Sequence, residues 1–122
     1  MSEVKEVPYN LVRTKEVVGV AVKNAHGEDL GKIEEIVLDK QTGQTCYIVL
    51  SFGGMLSIGD KLFALPWDIA TYDPEEECFI LDIDKDKLKN APGFSKDNWP
   101  NMADRAWNES INKFYNTKSH WE

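Results

Sequence analysis

The segment from Tyr47 to Trp67, YIVLSFGGMLSIGDKLFALPW, sets the tightest limit on what this chain can become. Two apolar runs, Cys46 to Phe52 and Lys61 to Pro66, flank a loop punctuated by Gly53, Gly54 and Gly59 that itself carries Met55, Leu56 and Ile58. Successive side chains of an extended chain point to opposite faces. Cys46, Ile48, Leu50 and Phe52 therefore share one face, and Tyr47 and Val49 the other. Both faces are apolar, which predicts a strand buried on one side and substantially covered on the other, at the core of a small β domain. Pro66 has no amide to donate, so it belongs at a strand end.

The rest of the chain reads as short extended segments around this centre. In the lead-in, residues 1–13, Tyr9, Leu11 and Val12 are expected against the body of the domain. Thr14 has the hydroxyl of an N-cap for a short helical turn stopped by Gly19, and VAVKN up to Asn24 alternates as a first strand. His26-Gly27 suits a hairpin turn. The run from Asp29 to Asp39 fits either helical spacing or a strand, but Gly31 argues for a strand with a bulge or close backbone approach. Asp39 to Gly43 has turn chemistry, returning the chain into Cys46. After Pro66, a single turn at Trp67 to Ala70 precedes an extended piece at Thr71 to Asp73. An acidic turn through Glu77 then leads to a last strand, Cys78 to Ile83.

Six such segments predict a mainly β fold, a small six-stranded barrel or strongly curled antiparallel sheet, with closure removing exposed edges. A short helix is expected over Asp84 to Asn90, ended by Pro92-Gly93, then an irregular bridge from Phe94 to Trp99. A terminal helix is expected from near Pro100, with Met102, Ala103, Ala106, Trp107, Ile111, Phe114 and Tyr115 forming one apolar stripe.

Charge and residue chemistry narrow the function classes. The 21 acidic residues outnumber the 14 basic ones, a formal net charge of −7, which disfavours tracking a phosphate backbone. The opening MSEVKEVPYN has no basic-then-apolar leader, and no apolar run reaches the roughly 18 residues that span a bilayer. A cytoplasmic protein is expected. Cys46 and Cys78 stand isolated in apolar segments and read as reduced, inert thiols. His26 sits in a turn with Glu28 and Asp29, and His120 near the chain end, so neither assembles a metal set or a nucleophile-base pair. The acidic turn Asp73, Glu75, Glu76 and Glu77 lacks the residue order of a preformed calcium loop. SFGGMLSIGDK is not a phosphate-binding loop in order or context. No cofactor, metal or catalytic residue is expected.

The segment VGVAVKNAHGEDLGKIEEIVLDKQTGQTCYIVLSFGGMLSIGDKLFALPW resembles the PRC-barrel domain, found in the cytoplasmic part of the photosynthetic reaction-centre H subunit and in the ribosome maturation factor RimM. The resemblance rests on G-x-x-L-G-K-I at Gly27 to Ile33, on Glu35 to Asp39, on SFGG, and on Pro66-Trp67. It divides the chain into a lead-in over 1–13, a PRC-barrel domain over 14–92, and a bridge with an amphipathic helix over 93–122. PGFSKDNWPNMADRAW is similar to the tail of stand-alone bacterial members. The resemblance implies a protein-interaction module without enzymatic activity. The chain carries neither the membrane helix of the H subunit nor the N-terminal domain of RimM, so neither function transfers directly.

Contacts are expected from the loop and tail apolar residues: Phe52, Met55, Leu56, Ile58, Trp67, Trp99, Trp107, Ile111, Phe114 and Tyr115. The tail stripe has two readings, docking on its own barrel or crossing to a second subunit or another protein. The expected partner is a second copy, as a homodimer, or another protein of basic character. Two alternatives stand beside this: an accessory factor in RNA processing or ribosome maturation acting through a ribosomal protein, and a barrel holding a small ligand or metal.

Overall fold

The computed structural model describes residues 11–52 and 61–119. Helix α1 (Thr14–Val17) leads to strands β1 (Ala21–Asn24), β2 (Asp29–Leu38), β3 (Thr45–Phe52) and β4 (Lys61–Pro66). A 3-10 turn at Trp67–Ile69 precedes β5 (Ala70–Asp73) and β6 (Cys78–Leu81). Helix α2 (Lys85–Lys89), strand β7 (Phe94–Ser95) and helix α3 (Arg105–Tyr115) complete the order. The strands form one curled sheet in the order β5-β6-β1-β2-β3-β4-β7. All neighbours are antiparallel except β1 and β6, which run parallel.

The central strand behaves as its pattern predicts. Tyr47, Ile48, Val49 and Leu50 are all buried, so both faces of β3 are covered. One face pairs Ile48 with Leu65 and Leu50 with Phe63, and the other pairs Tyr47 with Pro66 and Val49 with Ala64. The apolar interior also takes in Val22, Leu30, Ile33 and Leu81.

The turns carry the expected chemistry. Gly27 and Gly43 both have positive φ, and the Asp39 carboxylate accepts the Gln41 amide at 2.8 Å to brace the second turn. Gly31 lies beside an irregularity where Val22 pairs with Gly31 but Lys23 pairs with Asp29, which leaves Leu30 as the extra residue. Its φ of 136° is glycine territory. A second bulge puts Glu34 between the Ile33 and Glu35 pairs with β3, and together they bend the long strand.

Four details differ from the sequence reading. Thr14 is the first helical residue and Arg13 precedes it as cap. The last strand is β7, not the Cys78 segment: Leu62 pairs with Phe94 and Lys61 with Ser95 inside the expected irregular bridge. Two residues are too few for a period-2 pattern to register. Sheet edges also remain, with β5 at one end and β7 at the other. Finally, α3 starts at Arg105 rather than near Pro100, because the preceding turn has its own hydrogen bonds: the Asn101 side chain accepts the Ala103 amide, and the Asp104 amide reaches the Asn101 carbonyl.

Helix α3 packs on its own sheet, next to β4 and the Tyr47 side of β3. Its buried face is Asn108, Ile111, Asn112 and Tyr115, while Ala106 is exposed and Met102 and Ala103 precede the helix. The two asparagines are tolerated because their amides are satisfied. Asn108 donates to the carbonyls of Met102 at 2.9 Å and Asp104 at 2.8 Å, and accepts from the Tyr47 hydroxyl. Asn112 donates to the Asn108 carbonyl at 2.8 Å and accepts from Thr117 at 2.7 Å. Trp107 meets the Tyr47 ring edge-on at 5.4 Å. Burial, reinforced by neighbouring Cys46 and opposed by a hydrogen bond to Asn112, pushes the Tyr47 phenol up to about 12. Burial also raises Tyr115, whose hydroxyl has no hydrogen-bond partner among the described residues.

The two tyrosines should answer differently to loss of the hydroxyl. Tyr47→Phe leaves Asn108 short of a donor and is expected to cost about 1–2 kcal/mol in urea unfolding, whereas Tyr115→Phe removes an unsatisfied group and should be neutral or stabilising by up to about 1 kcal/mol. A folded-state pKa above the ordinary 10.0 means the Tyr47 contribution is intact below about pH 10 and declines as pH rises toward 12. Melting temperatures recorded from pH 8 to 12 should therefore fall above about pH 10, and less steeply in Tyr47→Phe. At Gly93, a Cβ would stand 2.8 Å from Phe63 Cε1 and 2.9 Å from the Leu62 carbonyl oxygen, both in a packed strand. Gly93→Ala is expected to cost about 1–3 kcal/mol by the same assay.

Candidate interaction surface

The residues expected to make contacts scatter over the molecule. Ile111 and Tyr115 are buried beneath α3 and belong to the core. Trp107 is half-buried on Tyr47, and Phe114 is half-buried with Lys87 Nζ 5.4 Å from its ring centre. Trp99 packs against Phe94 with centroids 4.9 Å apart, which holds the chain beyond β7 to the sheet. Phe52, at the end of β3, meets Phe63 edge-on at 5.6 Å. Met55, Leu56 and Ile58 lie outside the described residues. Of the described members of the set, Trp67 alone lines an open apolar groove, at the β5 end of the sheet.

That groove has a volume of about 730 Å³ and two walls. One comes from the chain around α1, with Leu11, Val12, Val17 and Val20; the other comes from Trp67, Tyr72, Pro74 and Phe79. Alternation along the strands explains the second wall. Tyr72 pairs with Phe79 and so shares its face, the face that Val22 and Leu81 turn toward the core. The groove is therefore the core's apolar interior running out to the sheet edge. Trp67 and Tyr72 both stack on Phe79, at 5.9 and 5.1 Å, and fix the wall's shape.

Exposure at this site is unusual for its residue types. Leu11 is 86% exposed, Val12 58% and Tyr72 48%, and they stand together rather than singly. Leu11 and Val12 were expected to lie against the body; they flank it instead, their side chains largely in solvent. Of the groove residues, Trp67 carried a sequence signal through the Pro-Trp pair. Tyr72 and Phe79 carried none as a site, because the exposure of Tyr72 over the buried Phe79 depends on β5 being an edge, and the edge is set by the long-range pairing of β6 with β1.

One acidic side chain lines the groove, and others follow its wall residues in sequence. Glu16 lines it and is held by Arg13, whose guanidinium is 2.9 Å from the carboxylate. Asp68 follows Trp67, and Asp73 begins the solvent-exposed turn of Pro74, Glu75, Glu76 and Glu77. The Asp73 carboxylate accepts the Glu75 amide at 3.0 Å, so the turn has a defined shape. Lys23 reaches Glu76 at 3.9 Å.

The remaining chemistry is muted. A smaller cleft of about 190 Å³ between β3 and the end of α3 is lined by Cys46, Tyr47, Trp67, Asn112 and Lys118. Burial raises the Cys46 pKa, with nearby Asp39 adding to it, and burial raises that of Cys78 despite the opposing pull of Lys23. Both thiols are free. His26 sits in the β1–β2 turn, where its amide donates to the Asn24 side chain at 3.0 Å. Among the described residues, no three His, Cys, Asp or Glu side chains converge to hold a metal ion, and no helix is long and apolar enough to cross a membrane.

A search of curated proteins finds no match to this sequence. A protein-family model does match: the PRC-barrel domain aligns with residues 10–88, from the groove's first wall through all of β1 to β6 and into α2 as far as Leu88. With that match over more than half of its length and a curled sheet of the expected kind, the chain belongs to the PRC-barrel domain family.

Proposed function

We propose that this protein is a non-catalytic interaction module that receives another polypeptide in the groove between the α1 region and β5. The single observation that carries this reading is the clustering of Leu11, Val12 and Tyr72, largely solvent-exposed, around an apolar channel continuous with the core. Large apolar side chains grouped on a surface mark sites that are covered in use. The Trp67–Tyr72 wall is braced by ring stacking on Phe79, so that side of the surface is preformed and binding need not order it. The protonated state favoured for both thiols is in keeping with a binding rather than a nucleophilic role.

This reading moves the contact surface away from the terminal helix. Ile111 and Tyr115 are 1% and 7% exposed on their own sheet, and an assembly through them would first have to pull α3 away and break the Tyr47–Asn108 hydrogen bond. Photo-crosslinking locates the surface directly. A benzoylphenylalanine side chain placed at Leu11 or Tyr72 in cells that make the protein is expected to give discrete protein adducts, and one at Lys40, in the turn between β2 and β3, to give none. Equal labelling from all three positions, or none from Leu11 and Tyr72, would sink the assignment.

A further inference from the structure

The β5 edge tells what kind of polypeptide fits, provided the groove is the binding surface. Among the described residues, β5 pairs only with β6, so the backbone groups on its outer side are available for a further strand. The edge at the opposite end of the sheet is shorter. There β7 has two residues, and Ser95 immediately bridges Asn98 across a turn.

The two faces of β5 then impose a pattern. Ala70 and Tyr72 point to the inner, apolar side with Phe79 and Leu81; Thr71 and Asp73 point to the outer side with Ile80 and Cys78. Lys23 pairs with Ile80 and therefore also faces outward, and its contact with Glu76 brings the acidic turn to that side. A strand laid beside β5 would present alternate side chains to these unlike surroundings. Its inward residues would meet Tyr72, Val12 and Leu11, which reward apolar groups. Its outward residues would meet Asp73 and the turn Glu75, Glu76 and Glu77, where only Lys23 supplies a cation from the neighbouring strands.

We propose that this edge takes an extended partner segment in which apolar and basic residues alternate, added to the sheet as a further strand beside β5. Charge complementarity selects this occupant over a second copy of the chain. A copy brings another seven net negative charges, and antiparallel pairing of β5 with its twin would set the acidic turn of each near Asp68 of the other. A basic segment removes that repulsion and gains from it.

The test uses the full chain, labelled with nitrogen-15, and the synthetic peptide Ac-Lys-Val-Lys-Val-Lys-Val-Lys-NH2. Saturable binding is expected, with the largest amide shifts in Ala70–Asp73 and around Val12 to Val20, and slowed hydrogen exchange at β5. Replacing every Lys of the peptide by Glu, or methylating every peptide amide nitrogen, should each weaken binding by about tenfold or more. Raising salt from 50 to 500 mM should weaken the Lys peptide and not rescue the methylated one. The protein carrying Glu75→Gln, Glu76→Gln and Glu77→Gln, all in an exposed turn, should stay folded by circular dichroism and lose most of its preference for Lys over Glu peptides. Equal affinity for the two peptides overturns the charge assignment, and an undiminished affinity for the methylated peptide overturns strand addition. No binding, or β5 shifts that grow with protein concentration alone, overturns the basic partner, the latter in favour of a second copy. In each of these cases adducts from Leu11 and Tyr72 would still stand for the groove, whereas loss of those adducts would remove the groove itself.

Discussion

Everything else in this fold depends on covering both faces of β3. Four consecutive residues, Tyr47 to Leu50, are buried, and a strand with that sequence is insoluble as an edge or as one wall of a half-solvated sheet. The chain meets the demand with two different materials. The curl of the sheet closes over Ile48 and Leu50, while α3 closes over Tyr47 and its pair partner Pro66. The bulges at Leu30 and Glu34 serve the first solution, since a flat ten-residue β2 would carry its neighbours away from the core rather than around it.

The second cover is made specific by polar groups rather than by fit alone. Asn108 joins three things with one side chain: the Tyr47 hydroxyl on the sheet, the carbonyls of the turn before the helix, and the helix itself. Apolar contacts such as Ile111 would allow α3 to slide by a turn at modest cost, but a slide would strand Tyr47 and two asparagine amides without partners. The hydroxyl of Tyr115, unpartnered among the described residues, shows the same principle from the other side, a small local cost carried because the rest of the helix is fixed.

These facts also explain what could be read from the sequence. Alternation in Cys46 to Phe52, the turn chemistry around Gly27 and Gly43, and the glycine at the bulge are local signals, and each gave the right local structure. The family resemblance, carried by the same residues, gave the same architecture. What lay hidden was non-local. Asn108 and Asn112 look like solvent-facing helix residues until Tyr47 and the Met102 turn are placed beside them. Phe94-Ser95 becomes a strand only because β4 offers an edge to it. The groove is the clearest case: Leu11, Trp67, Tyr72 and Phe79 come from separate segments, and apolar composition at each of them reads equally well as core. The tail, by contrast, had an obvious amphipathic stripe, and its Ile111 and Tyr115 pack on the chain's own sheet while Ala103 and Ala106 stay exposed.

The parallel pairing of β6 with β1 carries a kinetic meaning. Strands β1 to β4 form a meander in which each pairs with its sequence neighbour, and the β5–β6 hairpin likewise closes on itself. Joining the two pieces requires Val22 to find Phe79 from the far side of the whole meander, the costliest loop closure in the sheet. The order of assembly that follows is meander first, hairpin second, and their union last. The hairpin holds to the remaining sheet through that one strand pair, so it opens by breaking a single ladder. The groove thus lies on the unit joined to the sheet by the longest loop closure, so a bound segment at β5 would stabilise the sheet at its most non-local seam.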